Sequence, residues 1–353
     1  MAKIPVGILG ATGIVGQRFV QLLAEHPWFE ITAVAASDRS VGRAYAEICH
    51  WLLPTPMPAA VAALPVQPVA PPLDCQLIFS ALPASAAQEA EAAFARAGYG
   101  VCSNASAHRM AADVPLLIPE VNPEHLALIP AQRRRWGSAG YIVTSANCST
   151  TQLALALKPL DDAFGVRGVA VVTLQAASGA GYPGFPALDL LDNVVPYIAG
   201  EEEKLAQEPR KLLGTLTGDR IAEAAFAVSA QCNRVPVREG HTECVSVTFA
   251  RPASPEAVSA VLREFRPSAA AAQLPSAVAR PIVVHTAPER PQPLLDRETG
   301  AGMVVGVGRV RACPLFDVKF VLLGHNTVRG AAGGAIHNAE LLVAQGWLEE
   351  VRP

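Results

Sequence analysis

The chain has 353 residues, 51% of them hydrophobic and 17% charged, which excludes a disordered polypeptide and leaves room for two domains with real cores. A net charge of -3 gives no electrostatic footprint for nucleic acid, and no apolar run reaches the roughly 18 residues of a membrane helix. Seven cysteines, at 49, 75, 102, 148, 232, 244 and 313, are scattered without a CxxC pair, the pattern of reduced thiols in a cytoplasmic enzyme with no metal site expected.

The start carries Lys3 and reaches a glycine turn by Gly10, unlike the apolar core and cleavage site of a signal peptide, so a cytosolic protein is expected. Ile4 to Leu9 is an apolar run, followed at once by Gly10-Ala-Thr-Gly13-Ile-Val-Gly16 and a helical pattern carrying Phe19, Val20, Leu22 and Leu23. Strand, glycine turn and helix in that order let the backbone approach a pyrophosphate, whose charge the helix N-terminus stabilises. The spacing is GxxGxxG rather than GxGxxG, and an ordinary βα turn is the competing reading.

A second strand, Glu30 to Ala36, runs into Ser37-Asp38-Arg39-Ser40, with Arg43 close behind. Asp38 suits a ribose 2'-hydroxyl and NAD, or merely a turn cap, whereas Arg39, Ser40 and Arg43 suit a 2'-phosphate. Three donors against one acid favour NADP. Seven prolines between Pro54 and Pro72 predict irregular connections around short strands. Gln76 to Leu82 reads as a buried strand, Ala86 to Ala97 as a helix closed by Gly98, and Gly100 to Ser103 as a strand leading into Asn104 to Met110. That alternation predicts a parallel, doubly wound sheet, with ligands beyond the carboxyl ends of its strands. Arg133, Arg134 and Arg135, with few apolar anchors around them, read as a solvated loop.

Tyr141 to Thr144 favours a strand and Gln152 to Lys158 a buried helix, so Cys148 falls at a strand-to-helix turn, with Asn147 or a neighbouring Ser as cap. A thiol among unsatisfied N–H groups at the positive end of a helix favours thiolate and nucleophilic reactivity. The competing reading is a small buried hydrophobe. Beyond it, Gly168 to Gln175 and Glu243 to Ala250 read as strands of a mixed, more antiparallel α+β domain. The glycine-rich loop Gly179 to Gly184 suits a ligand's neighbourhood, and Gly330 to Gly334 precedes a helix from Ile336 to Ala344 that is expected to close over the cofactor. His241 is a candidate general base and Arg234 a candidate partner for a substrate carboxylate, with Arg238 as its rival.

Several segments together resemble one family: GATGIVG at Gly10 to Gly16, SNASAHRM at Ser103 to Met110, SANCST at Ser145 to Thr150, QAASGAGYPG at Gln175 to Gly184, GEEEK at Gly200 to Lys204, RVPVREGH at Arg234 to His241 and HNTVRGAAGGA at His325 to Ala335. They are similar, in order over nearly the whole chain, to aspartate-semialdehyde dehydrogenase of the archaeal and fungal type. The resemblance implies an α/β fold: a Rossmann-like, doubly wound NADP-binding domain over residues 1–147, completed by the C-terminal helix at about 330–353, and an α+β catalytic and oligomerisation domain of the glyceraldehyde-3-phosphate dehydrogenase-like type over 148–329. It implies NADPH-dependent reduction of aspartyl phosphate through a Cys148 thioester, with His241 as acid/base. Arg234 would hold the α-carboxylate, Glu201 the α-ammonium, and Arg109, Asn147 and Lys204 the phosphate, while Gln175 orients the acyl group; Glu202 and Glu203 are alternatives to Glu201. The cofactor is expected at Gly10, Thr12, Gly13, Ile14, Val15 and Gly16, at Ser37, Arg39 and Ser40, and at Ser178, Gly179, Asn326 and Gly333. N-acetylglutamyl-phosphate reductase and malonyl-CoA reductase are the rival activities. A homodimer or homotetramer acting on small molecules, away from nucleic acid and membrane, completes the expectation.

Overall fold

A computed structural model describes residues 2–348. Its first sheet comprises β1 (Ile4–Leu9), β2 (Phe29–Ala35), β3 (Val66–Gln67), β4 (Leu77–Ser80), β5 (Gly100–Ser103), β6 (Leu116–Leu117) and β7 (Tyr141–Ser145). Their order across the sheet is β3-β2-β1-β4-β5-β7-β6, and every pairing is parallel. The central strands β4, β5 and β7 are buried along their whole length, which is why they read as continuous apolar runs rather than alternating ones. In register, Leu9 lies beside Ala35 and Ser80, and Ser103 beside Ser80 and Thr144. The carboxyl ends therefore share one edge, and the turns carrying Gly10, Ala81, Asn104 and Asn147 open along it.

The second sheet holds β8 (Val166–Gln175), β11 (Ala227–Arg234), β12 (His241–Phe249), β13 (Ile282–Val284), β14 (Val305–Ala312) and β15 (Val318–Gly324), ordered β11-β8-β12-β15-β14-β13 with mixed pairing. A separate hairpin joins β9 (Thr215–Thr217) to β10 (Arg220–Ala222). The Cys148–Phe164 helix lies against the inner face of this sheet, and Leu153, Leu155, Leu157 and Leu160 pack with Val245, Phe320 and Leu322. Each of those leucines is 0% exposed, worth about 1.5–3 kcal/mol apiece. The helix is thereby fixed from behind, and its N-terminus is held at the junction of the two sheets.

The C-terminal helix, Gly333–Ala344, returns to the first sheet, where Ala335, Ile336, Ala339 and Leu342 join the core of Phe19, Leu117 and Val143. Residues 349–353 of the expected C-terminal segment lie outside the described residues. One expectation is corrected. Arg133, Arg134 and Arg135 lie not in a loop but at the end of a helix, Ile129–Trp136, with Pro at its start and Gly137 at φ 62° closing it. Arg133 lies over the rings of Tyr141 and Trp347, and Arg134 pairs with Asp219. Arg134 and Arg135 are exposed, as expected, whereas Arg133 is half-buried because Trp347 comes to it from far along the chain.

Candidate active site

Asn147 caps the helix that begins at Cys148, its Oδ1 accepting from the N–H groups of Ser149 at 3.0 Å and Thr150 at 3.3 Å. This leaves its Nδ2 free to donate to Glu201 Oε2 at 2.8 Å. Cys148 is half-buried, and its Sγ stands 3.1 Å from Nε2 of His241. His241 opens β12 beside the end of β8, and its Nδ1 accepts the N–H of Ala176 at 3.0 Å. A neutral ring whose Nδ1 accepts must carry its proton on Nε2, so the imidazole donates toward the sulfur. Burial, with Arg234 and His325 nearby, pushes the imidazole down to about 3. Burial and the Glu201 charge push the thiol up to about 12, against the pull of Arg234 and Arg109. The free protein thus holds a neutral thiol against a neutral imidazole, whereas the helix N-terminus alone predicted a thiolate; loss of solvent outweighs the dipole here.

The residues expected to meet the substrate converge on the same place. Glu201 is buried, Glu202 instead accepts the N–H of Cys232 at 3.0 Å, and Glu203 is exposed. Only Glu201 faces the thiol: it accepts from Lys204 Nζ at 2.7 Å and Gln175 Nε2 at 3.3 Å, as well as from Asn147. Burial works against this carboxylate, but Lys204 and the two amide donors hold it below its ordinary range. Arg234 is 3% exposed and donates to the carbonyl of Ala176 at 2.8 Å, while its Nε has no hydrogen-bond partner among the described residues. Arg238, its rival for the carboxylate, is exposed, whereas Arg234 is the one whose charge acts on the Cys148 thiol. Arg109 is buried and reaches Glu208 at 2.9 Å and the carbonyl of Asn104 at 2.7 Å.

A cavity of about 460 Å³ runs from the first glycine turn to the thiol, lined among others by Gly13, Ile14, Val15, Arg109, Asn147, Cys148, Ser178, Gly179, Asn326 and Gly330. Gly13 caps the Ile14–Leu23 helix with no side-chain bond, leaving that N-terminus open to an anion. Gly10 has φ +72°, and a Cβ at Gly16 would fall 2.2 Å from the Gly10 carbonyl oxygen, so both shape the turn. Thr12 is half-buried in the same turn, held there because Gln17 donates to its carbonyl. Ser37, Arg39 and Ser40 lie in an exposed 3-10 turn at the end of β2, and Arg43 beside them pairs with Glu47. Gly333 does not line the cavity; it is buried at its helix start, where a Cβ would meet Val328 and Met303. Asn104, Gly330 and Ala331 also line the cleft; the motifs contain all three, but none is named there as a substrate or cofactor residue. The Gly330 signal was a steric one: a Cβ there would lie 2.8 Å from Cys148 Cβ.

Arg18, on the first helix, donates to Glu239 at 2.6 Å, tying the nucleotide turn to the segment that carries His241. Glu239, Glu298 and His325 bring ligand atoms within 4.8 Å of one another, but Arg18 and Arg297 already pair with the two carboxylates.

The chain matches the family model for the semialdehyde dehydrogenase NAD binding domain over residues 5–129 and that for the semialdehyde dehydrogenase dimerisation domain over residues 157–329. It is 51% identical to an aspartate-semialdehyde dehydrogenase of Archaeoglobus fulgidus, covering 96% of this chain and 98% of that protein. The chain belongs to the aspartate-semialdehyde dehydrogenase family. A fungal relative with the same name, from Cryptococcus neoformans, is 50% identical over 98% of this chain and 99% of its own. Among solved structures, aspartate semialdehyde dehydrogenase with NADP from Candida albicans superposes with a TM-score of 0.91 at 43% identity, covering 98% of this chain and 100% of that one. Aspartate semialdehyde dehydrogenase II complexed with ASA from Vibrio cholerae gives 0.78 at 26% identity, covering 98% and 100%. Archaeal and fungal relatives are thus both present at half identity, as the SANCST form of the Cys148 segment suggested, and the two rival reductase activities are not favoured.

Proposed function

We propose that this chain reduces L-aspartyl 4-phosphate to L-aspartate 4-semialdehyde with NADPH, releasing inorganic phosphate, in amino-acid biosynthesis leading to lysine, threonine, methionine and isoleucine. The observation that carries the reading is the 3.1 Å approach of Cys148 Sγ to His241 Nε2, at the end of a cavity that begins at the Gly13 turn. Open N–H groups at that turn fit a pyrophosphate, and NADPH bound there supplies the hydride. The 2'-phosphate falls to Arg39, Ser37 and Ser40.

Cys148 attacks the acyl carbon, so that a C–S bond forms as the bond to the phosphate oxygen breaks, and the thiol proton departs with inorganic phosphate. Arg109, Asn147 and Lys204 receive the phosphate, Arg234 the α-carboxylate and Glu201 the α-ammonium. The chemistry of these groups supports that division, because a dianion and a carboxylate need cations and an ammonium needs an acid. Gln175 orients the acyl oxygen. When the thioester carbon is reduced, its oxygen becomes negative, and the Nε2–H of His241 is the donor that meets it. His241 serves here by hydrogen bonding to that oxygen and keeps its proton, since a neutral ring that gave it up would be an imidazolate. Collapse of the thiohemiacetal oxyanion breaks the C–S bond, releasing the aldehyde and a Cys148 thiolate, which takes one proton from solvent to restore the thiol.

The division into a nucleotide-binding unit, 1–147 with the segment from about 330 onward, and a catalytic unit, 148–329, is part of the same reading. So is a homodimer or homotetramer: the outer face of the second sheet exposes Val172, 38% accessible, and Cys244, a surface suited to a second copy. No helix among the described residues is long and apolar enough to cross a membrane. Seven free cysteines accord with a cytoplasmic setting, and the net charge of -3 with no nucleic-acid partner. The test is phosphate-dependent NADP reduction with aspartate semialdehyde, run beside N-acetylglutamate semialdehyde and malonate semialdehyde with CoA. Turnover with the first alone supports the reading, and preference for either of the others overturns it.

A further inference from the structure

The Glu201–Leu212 helix presents the same pair of residue types twice, seven residues apart: Glu201 with Lys204, then Glu208 with Lys211. The first pair lies in the site already described. The second pair is buried, Glu208 at 2% and Lys211 at 4%, and nothing above gives it a task. Glu208 Oε1 accepts from Arg109 Nη1 at 2.9 Å, and its Oε2 accepts the backbone N–H of Asn147 at 2.6 Å. One carboxylate therefore spans the guanidinium assigned to the phosphate and the residue that caps the nucleophile's helix. Lys211 donates to the carbonyls of Arg109, Ala111 and Val114 at 2.6, 2.7 and 2.8 Å, fixing the backbone that carries the guanidinium.

We infer that Glu208 is a positioning residue for the phosphate step, holding the Arg109 guanidinium in register with Cys148 while Lys211 secures the loop beneath it. Three features support this. A guanidinium has five N–H donors, and Arg109 uses two of its terminal ones on Glu208 and Asn104. Its Nε is buried without a hydrogen-bond partner, so donors remain for an anion. Finally, the carboxylate is bound at both oxygens, so that neither Arg109 nor the Asn147 amide can shift alone without leaving a buried polar group unmet.

The inference rests on the assignment of phosphate to Arg109, and the experiment separates the two. In the aldehyde-oxidising direction, KM for inorganic phosphate, semialdehyde and NADP is measured for the parent protein, Glu208→Gln, Arg109→Lys and the double variant. Glu208→Gln is expected to raise KM for phosphate on the order of tenfold with little change in KM for NADP. The double variant is expected to be no worse than Arg109→Lys within about twofold, since Glu208 acts through Arg109. If Glu208→Gln affects all three constants alike, or if the two effects multiply, Glu208 is only a structural partner and the inference fails alone. If Arg109→Lys leaves the phosphate KM unchanged, the phosphate assignment fails and takes the inference with it. Should Glu208→Gln not fold, Glu208→Asp, which keeps the charge on a shorter arm, is read in its place for the same pattern.

Discussion

His241 meets Cys148 as a hydrogen-bond donor: Nε2 stands 3.1 Å from Sγ because Nδ1 is already occupied by the N–H of Ala176 at 3.0 Å. The backbone thus chooses the tautomer, and a neutral ring presents its Nε2–H to the sulfur, the orientation that the proposed thiohemiacetal step requires.

Arg234 is bonded to a carbonyl and to no carboxylate among the described residues, which leaves it unpaired for the substrate carboxylate proposed above. Arg234→Lys keeps the charge and loses the fork. The expected loss in kcat/KM is on the order of 10 to 1000 fold, about 1.4 to 4 kcal/mol, with Tm and NADP binding unchanged. A lowered Tm with modest kinetic change would move Arg234 out of the site.

Arg39, in the exposed turn after β2, is the cation assigned to the 2'-phosphate. Arg39→Ala should weaken NADP more than NAD in a direct binding titration, since only NADP carries that group. Equal weakening of both would assign the preference to Asp38 or to the turn itself.

Gly330 leaves no room for a side chain against Cys148, whose Cβ would lie 2.8 Å from a new methyl. Gly330→Ala should displace the thiol and lower kcat by about tenfold or more, with a cost in stability of roughly 1–3 kcal/mol from overpacking. Unchanged kcat in steady-state assays would show that the cavity relaxes around the methyl.

Glu243 lies beneath His241, fully buried, with Gln152 Nε2 donating to it at 2.6 Å. Burial raises its carboxyl to about 8, so the folded protein keeps it protonated where the unfolded chain ionises it. The unfolded state then binds fewer protons, and this group's contribution to stability, full below about pH 4.5, declines as pH rises toward 8. Glu243→Gln removes the liability. Its Tm should exceed the parent's by a margin that grows from pH 5 to pH 8, and a constant margin across that range would show a carboxyl that does not titrate there.

The strands and turns that line the cleft were legible because their signals are local. Gly10 to Gly16 must turn tightly, Asn147 must cap a helix, and β4, β5 and β7 must be apolar on both faces. Groups whose meaning depends on a remote partner were not legible. Arg133 reads as solvated until Trp347 arrives from the end of the chain, and Glu208 reads as an ordinary helix acid until Arg109 reaches it from 99 residues away. Glu120 and Arg329, 209 residues apart, form a buried bidentate pair for which neither local sequence carries a signal. Gly333, whose motif pointed to the cofactor, also has a packing reason to be small, since a Cβ there would meet Val328 and Met303.

The central claim is an acyl group carried on Cys148, and the most direct test mixes the protein with NADP and aspartate semialdehyde in the absence of phosphate. The account predicts a burst of NADPH stoichiometric with sites and a Cys148 peptide acylated by the aspartyl group in the mass spectrum, both lost in Cys148→Ser with NADP binding retained. Stoichiometric NADPH with Cys148 unmodified, or a burst that survives in Cys148→Ser, would contradict it.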